Sequence, residues 1–142
     1  MINNKYYLNC ICFGRAAEGL RADFQEQLEE AQKEIGFKYV RFHGIFHDDM
    51  AVYSEVNGQP ELWFGYMDKL FDFLLKNGLK PILELGFMPR QLAGNEETLF
   101  WWNAHTCPPN DYGKWSLLVK GTVEHLIERY SSDEVKSWYF EV

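Results

Sequence analysis

Residues 6–19, YYLNCICFGRAAEG, hold the decision between two folds. Tyr6 to Phe13 is an apolar run of strand length, and Gly14 ends it. Beyond the turn, Leu20, Phe24, Leu28, Ala31 and Ile35 recur at spacings of three and four, the stripe of an amphipathic helix. A strand that turns directly into a helix begins a parallel α/β unit. A dinucleotide-binding sheet would carry Gly-x-Gly-x-x-Gly in that first turn. Gly14-Arg15-Ala16-Ala17-Glu18-Gly19 lacks it.

Working outward, the alternation continues. Gly36 stops the helix, and Phe37 to Phe42 (FKYVRF) reads as a second strand. A loop follows, with Asp48-Asp49 and Asn57-Gly58-Gln59-Pro60. From Glu61 to Lys76 a second helix carries Trp63, Met67, Leu70, Phe71 and Leu74 on one side, and Asn77-Gly78 ends it. Lys80 to Phe87 (KPILELGF) is a third strand, and a long loop runs through Pro108-Pro109. Asp111 caps a third helix with Trp115, Leu118, Thr122, Leu126 and Tyr130 inward. Val135 to Val142 (VKSWYFEV) is a fourth strand.

Such alternation implies parallel pairing with right-handed crossovers. A doubly wound sheet closes at this size, whereas a full (β/α)₈ barrel takes about 250 residues. Four strands are half of the eight, so the pattern alone leaves both folds open. Short, regular units without a dinucleotide loop favour a barrel segment. The expectation is four parallel strands in the order first to fourth, with all three helices on one face.

Composition bounds the function. With 142 residues the chain reads as one domain, 1–142, that can bury a core. Apolar residues at 46% and aromatic residues at 17% exclude a disordered segment. The net charge of −7, without a basic cluster, speaks against nucleic acid and against an anionic membrane surface as partners. No apolar run approaches the roughly 20 residues of a membrane span, and residues 1–5 do not read as the start of a signal peptide. Cys10, Cys12 and Cys107 are too few and too irregular for a disulfide framework, so a reducing, cytoplasmic setting is expected.

Parallel barrels build their sites at the C-terminal ends of the strands. Those positions hold Gly14-Arg15, then Arg41, His43 and Gly44, then Glu84, Phe87 and Met88, and finally Glu141. A histidine beside an arginine and a glycine suits a hydroxyl-rich ligand, because imidazole donates on one nitrogen and accepts on the other. On the residues alone, a core histidine held by a neighbour fits His43 slightly better. His43, His47, Asp48 and Asp49 invite a metal reading, but His-x-x-x-His serves zinc on a helix, and here it spans a strand end and a loop. No metal and no cofactor are expected. Cys10 and Cys12 share one face of a regular strand, most simply as small apolar groups. Glu84 and Glu141 could act as the paired acids of a glycosidase or as structural strand carboxylates.

The runs GRAAEGLR (14–21), FKYVRFHGIFHDDMAVY (37–53), LKPILELGFMP (79–89), LFWW (99–102), PPNDYGKW (108–115) and ERYSSDEVKSWYFEV (128–142) resemble the N-terminal half of glycoside hydrolase family 39. The likeness is greatest to its bacterial β-xylosidases. The resemblance implies the first half, strands one to four, of a (β/α)₈ barrel in a retaining hydrolase that acts on xylosides or xylo-oligosaccharides. It places His43 and Gly44 on the sugar-contacting segment of strand two and Phe87 on the wall of the −1 subsite. The family's acid/base is the Glu of a Trp-Asn-Glu-Pro motif directly after Phe-Glu-Val, and its nucleophile lies on strand seven. Neither falls within 1–142, and Glu141 matches the Glu of Phe-Glu-Val, not the acid. The chain alone is therefore expected to be inactive. Residues 103–107 (NAHTC) depart from the family's usual loop. The expected partners are a xylose-containing glycoside and either the remaining barrel half or a second copy of the chain. The alternative function is a non-catalytic carbohydrate-binding or half-barrel assembly module.

Overall fold

In the computed structural model, which describes residues 6–142, four parallel strands form the main sheet. They are β1 (Cys10–Arg15), β2 (Tyr39–His43), β5 (Lys80–Glu84) and β6 (Tyr139–Glu141), hydrogen-bonded in the order β1-β2-β5-β6. A hairpin, β3 (Tyr53–Val56) and β4 (Gln59–Leu62), stands apart from it. The helices are α1 (Ala22–Ile35), α2 (Gly65–Lys76), α3 (Tyr112–Tyr130) and the single turn α4 (Ser132–Val135). The expected sequential order of parallel strands is thus found.

Side-chain alternation along the strands sorts the two faces of the sheet. Val40, Phe42 and Leu83 are at most 1% exposed and share one core with Leu28 of α1, with Met67, Leu70, Phe71 and Leu74 of α2, and with Leu118 and Leu126 of α3. All three long helices therefore cover the same face. The intervening residues, Tyr39, Arg41, Ile82, Glu84, Tyr139 and Glu141, line the opposite face and keep partial exposure. This uncovered side is less apolar than the strand compositions imply. Apart from Ile82, the large aliphatic and phenyl groups of these central strands point to the helices, and Arg41 with two glutamates occupies the middle of the other face.

Local chemistry explains the helix ends. Gly36 adopts φ 76°, the left-handed conformation of a helix stop. Asp111 caps α3, its carboxylate accepting from the Gly113 and Lys114 N–H groups at 2.7 and 3.1 Å.

Several boundaries differ from the sequence reading. Tyr6–Leu8 is a 3₁₀ turn, so the first strand begins at Cys10 and runs on through Arg15. The third ends at Glu84, because its β6 partner ends at Glu141 and Leu85 N–H bonds the Glu141 carbonyl. Phe87 consequently lies on the following loop, not on a strand. Val135 closes α4, and the fourth strand keeps only three residues. The expected loop before α2 contains the hairpin, turned by Asn57 (φ 51°) and Gly58 (φ 76°), residues that tolerate positive φ. Trp63 precedes α2, which starts at Gly65, and stands half-exposed against Tyr66.

Candidate functional site

The C-terminal ends of the parallel strands and the loops beyond them converge on one cluster of rings. His43 closes β2, and its ring centre lies 5.6 Å from Phe87 and 5.8 Å from Trp102, stacked on the latter. Phe87 meets the Trp102 edge at 5.1 Å, and Phe100 stacks on Trp102 at 5.4 Å. The candidate residues His43 and Phe87 are thus neighbours, and Trp102 joins them. Gly44 follows at φ 75°. A Cβ there would meet His47 Cβ at 3.8 Å, ordinary contact, so backbone conformation and not space demands glycine.

Trp102 is delivered by a tight loop. Leu99 and Ala104 exchange backbone hydrogen bonds of 2.8 and 2.9 Å, closing residues 100–103 into a turn. Phe100 (φ 63°) and Asn103 (φ 57°) take left-handed backbone within it. Such strain persists where surrounding contacts hold it, which is common at binding sites. Phe100 and Trp101 are 62% and 83% exposed, an apolar tip beside the cluster.

Polar groups anchor this wall. Arg15, at the end of β1, places its guanidinium carbon 4.8 Å from the Trp102 ring centre and 5.2 Å from that of Trp101. The same guanidinium pairs with Asp49. His47 lies 2.9 Å from Asp49 Oδ1 through Nδ1 and 3.0 Å from the Trp102 carbonyl through Nε2. Burial depresses its pKa, but Asp49, Asp48 and the Trp102 carbonyl outweigh that and leave it above its usual 6.5. On the His47 side of Trp102, a recess of about 400 Å³ is lined by Asp48, Arg90, Glu96, Thr98, Asn103 and the buried His105.

Along the uncovered face, Arg41 grips Glu141 through two parallel bonds of 2.9 and 2.8 Å. Its third nitrogen lies 3.0 Å from Glu84 Oε1, close enough for an ion pair though off the axis of a hydrogen bond. Arg41 holds the Glu141 carboxyl below its ordinary pKa. A group kept ionised in this way suits structure or charge stabilisation, not proton donation. Cys10 and Cys12 share this face, as expected, and burial with the neighbouring Cys12 raises the Cys10 thiol.

His47 and Asp49 do meet, but as partners of each other. Among the described residues no group of three or more His, Cys, Asp or Glu side chains is arranged to hold a metal ion. Within the same residues, no helix is long and apolar enough to cross a membrane. Sequence reasoning had located Arg15 at a strand end but missed its stacking, and it missed the hub role of Trp102. The paired tryptophans of LFWW were the available signal.

Residues 2–142 match the model of glycosyl hydrolases family 39. A β-xylosidase of Caldicellulosiruptor saccharolyticus is 40% identical over 140 residues, 98% of this chain and 29% of that protein. Among solved structures, the family 39 enzyme of Xanthomonas axonopodis pv. citri superposes with a TM-score of 0.89 at 37% identity, covering 94% of this chain and 26% of that one. A monomeric β-xylosidase from Caulobacter crescentus CB15 gives 0.90 at 36% identity, covering 94% and 27%. The chain thus spans less than a third of the length of these relatives. On the match of its nearly complete length, the chain belongs to glycosyl hydrolase family 39.

Proposed function

We propose that the chain forms the first half of the (β/α)₈ barrel of a retaining, β-xylosidase-like glycoside hydrolase acting on xylosides or xylo-oligosaccharides. The observation that carries this is the convergence of His43, Phe87 and Trp102 at the strand ends, where barrels bind substrate. Aromatic faces suit the C–H surfaces of a pyranose, and the His43 ring supplies a donor and an acceptor for its hydroxyls. Gly44 lets the chain turn away directly after His43, so that the imidazole stands at the mouth of the sheet.

Retaining hydrolysis needs two carboxylates roughly 5–5.5 Å apart, one of them protonated when the leaving group departs. Glu84 and Glu141 share Arg41 and serve to order the inner face. The acid/base and the nucleophile belong to the rest of the barrel, which lies outside residues 1–142. That remaining half, or less completely a second copy of the chain, is the proposed protein partner.

Complementation tests the reading. The chain co-expressed with the remaining part of the Caldicellulosiruptor β-xylosidase should release the aglycone of an aryl β-xyloside, and the chain alone should not. Turnover by the pure chain, abolished by Glu141→Gln, would overturn the assignment. A complemented barrel that folds but turns over no glycoside would favour a non-catalytic module.

A further inference from the structure

The polar contacts behind Trp102 form a closed circuit that sugar binding itself does not require. His47 is 8% exposed, and its Nε2 stands 3.0 Å from the Trp102 carbonyl. A carbonyl only accepts, so Nε2 carries the hydrogen and donates. That leaves Nδ1 two roles. Unprotonated, it accepts from the Asp49 N–H at 3.4 Å, a long bond. Protonated, it donates to Asp49 Oδ1 at 2.9 Å, a charge-assisted bond. Asp49 pairs through its other oxygen with Arg15, and Arg15 lies over the Trp102 ring.

We infer that His47 is a positioning residue for Trp102: it ties the Trp102 backbone to Asp49, Asp49 holds Arg15, and Arg15 returns to the Trp102 indole. The circuit pins both the backbone and the ring of one residue. Imidazolium suits the post because it donates in two opposed directions at once, which neither a neutral ring nor an amide nitrogen does. The charged groups around it bear on its state in known senses. Asp49 and Asp48 favour the cation, and Arg15 opposes it but is itself neutralised by Asp49. Arg90, Glu96 and His105 share the adjoining recess. His43, on the other element packed against Trp102, stacks on the indole without bonding to His47. Deprotonating His47 therefore exchanges a short bond for a long one and frees Asp49 from its tie to the Trp102 backbone, which changes the setting of the indole. The inference rests on the proposed function only for what Trp102 is used for, and its test involves no sugar.

Tryptophan emission and near-ultraviolet circular dichroism of the chain, titrated through neutral pH, read the circuit. The chain should show a transition with a midpoint above 6.5, the ordinary histidine value. Trp102→Phe and His47→Gln should both abolish it, and Asp49→Asn should move it to lower pH. Absence of the transition in the unsubstituted chain, or its persistence in His47→Gln, would overturn the inference. Should His47→Gln fail to fold, NMR of the unsubstituted chain decides: the His47 ring and the Trp102 indole N–H must titrate with a common midpoint. An indole N–H that ignores the His47 titration sinks the proposal.

Discussion

His43 is placed by the point at which β2 stops pairing, where the side chain of the last strand residue still projects from the sheet end while the backbone, through Gly44, is free to leave. Its ring is half-buried between Phe87 and Trp102 and is available to a ligand from the remaining side. In the complemented enzyme, His43→Ala should lower kcat/KM on an aryl xyloside by the equivalent of about 1–3 kcal/mol, the scale of one lost polar contact. Unchanged kinetics would remove His43 from the site. His47 makes a different forecast, of stability against pH. Its folded pKa lies above the unfolded value, so the folded state binds the proton more tightly. The resulting stabilisation is fully present below pH 6.5 and is lost as pH rises through the folded pKa. Calorimetric Tm values for the chain and for His47→Gln should thus converge on going from acid to alkaline pH. A gap independent of pH would show that the ring acts by packing alone. The meeting of His43 and Phe87 was legible in the sequence, because one closes a parallel strand and the other follows the next strand by three residues. Trp102 was not, since one of five tryptophans in a long loop acquires its meaning only when the Leu99–Ala104 contact folds it inward.

At the scale of the elements, periodicity carried the long helices and failed on the short pieces. Leu118, Thr122 and Leu126 at intervals of four announce α3, and all three are fully buried. No such repeat exists in Ser132–Val135, four residues whose helical turn is set by the Ser131 hydroxyl accepting from Glu134 N–H. Trp138 then reaches back, its indole N–H donating to Glu134, so the start of the apparent fourth strand is consumed by that turn. The hairpin was hidden for a related reason. Its four-residue strands pair only with each other, and Glu55 holds them to the body by accepting from Lys114 on α3 and by donating its backbone N–H to the Gln91 side chain. The turn of α4 is too short to repeat, and the hairpin depends on tertiary anchors that local sequence does not encode. The Asp111 cap is the opposite case, a local signal with a local bond. Asp111→Ala should lower stability by about 1 kcal/mol in chemical denaturation, with the slope of the transition unchanged. Phe71→Ala empties the layer between β2 and α3, where Phe71 meets Phe42, Tyr130 and Trp138, and should cost about 3–5 kcal/mol. A loss near that of Asp111→Ala would mean the core collapses into the vacated space.

For the whole molecule, the decisive feature is the pair of sheet edges. Among the described residues nothing pairs with the outer side of β1 or of β6. The Asn9 carbonyl accepts from Tyr39, so alternation turns the backbone groups of Cys10 and Cys12 toward the open edge of β1. Such edges template pairing with another chain unless charge, bulge or proline blunts them. The uncovered face adds a moderate drive. Tyr139 is 56% exposed and packs against Tyr39, but the Arg41 ion pairs at its centre make that face partly self-sufficient. Pairing should therefore come from the edges more than from apolar burial, with the net charge of −7 opposing it at low salt. We predict that the isolated chain self-associates as concentration and salt rise, two copies closing edge to edge about a two-fold axis. Sedimentation should then give a mass above the 16.8 kDa of the monomer. Cys12→Pro, which removes an outward N–H from β1 and leaves the bonds to β2 in place, should shift the distribution to monomer without loss of β-sheet signal. Salt works in opposite senses on the two candidate drives of association: screening relieves the like-charge repulsion between copies but also weakens any ion pairs formed across the joint. Association that strengthens with salt and vanishes in Cys12→Pro identifies the β1 edge as the seam. A monomer at every concentration and salt would mean that the twist of a three-residue β6 and a short β1 already protects both edges.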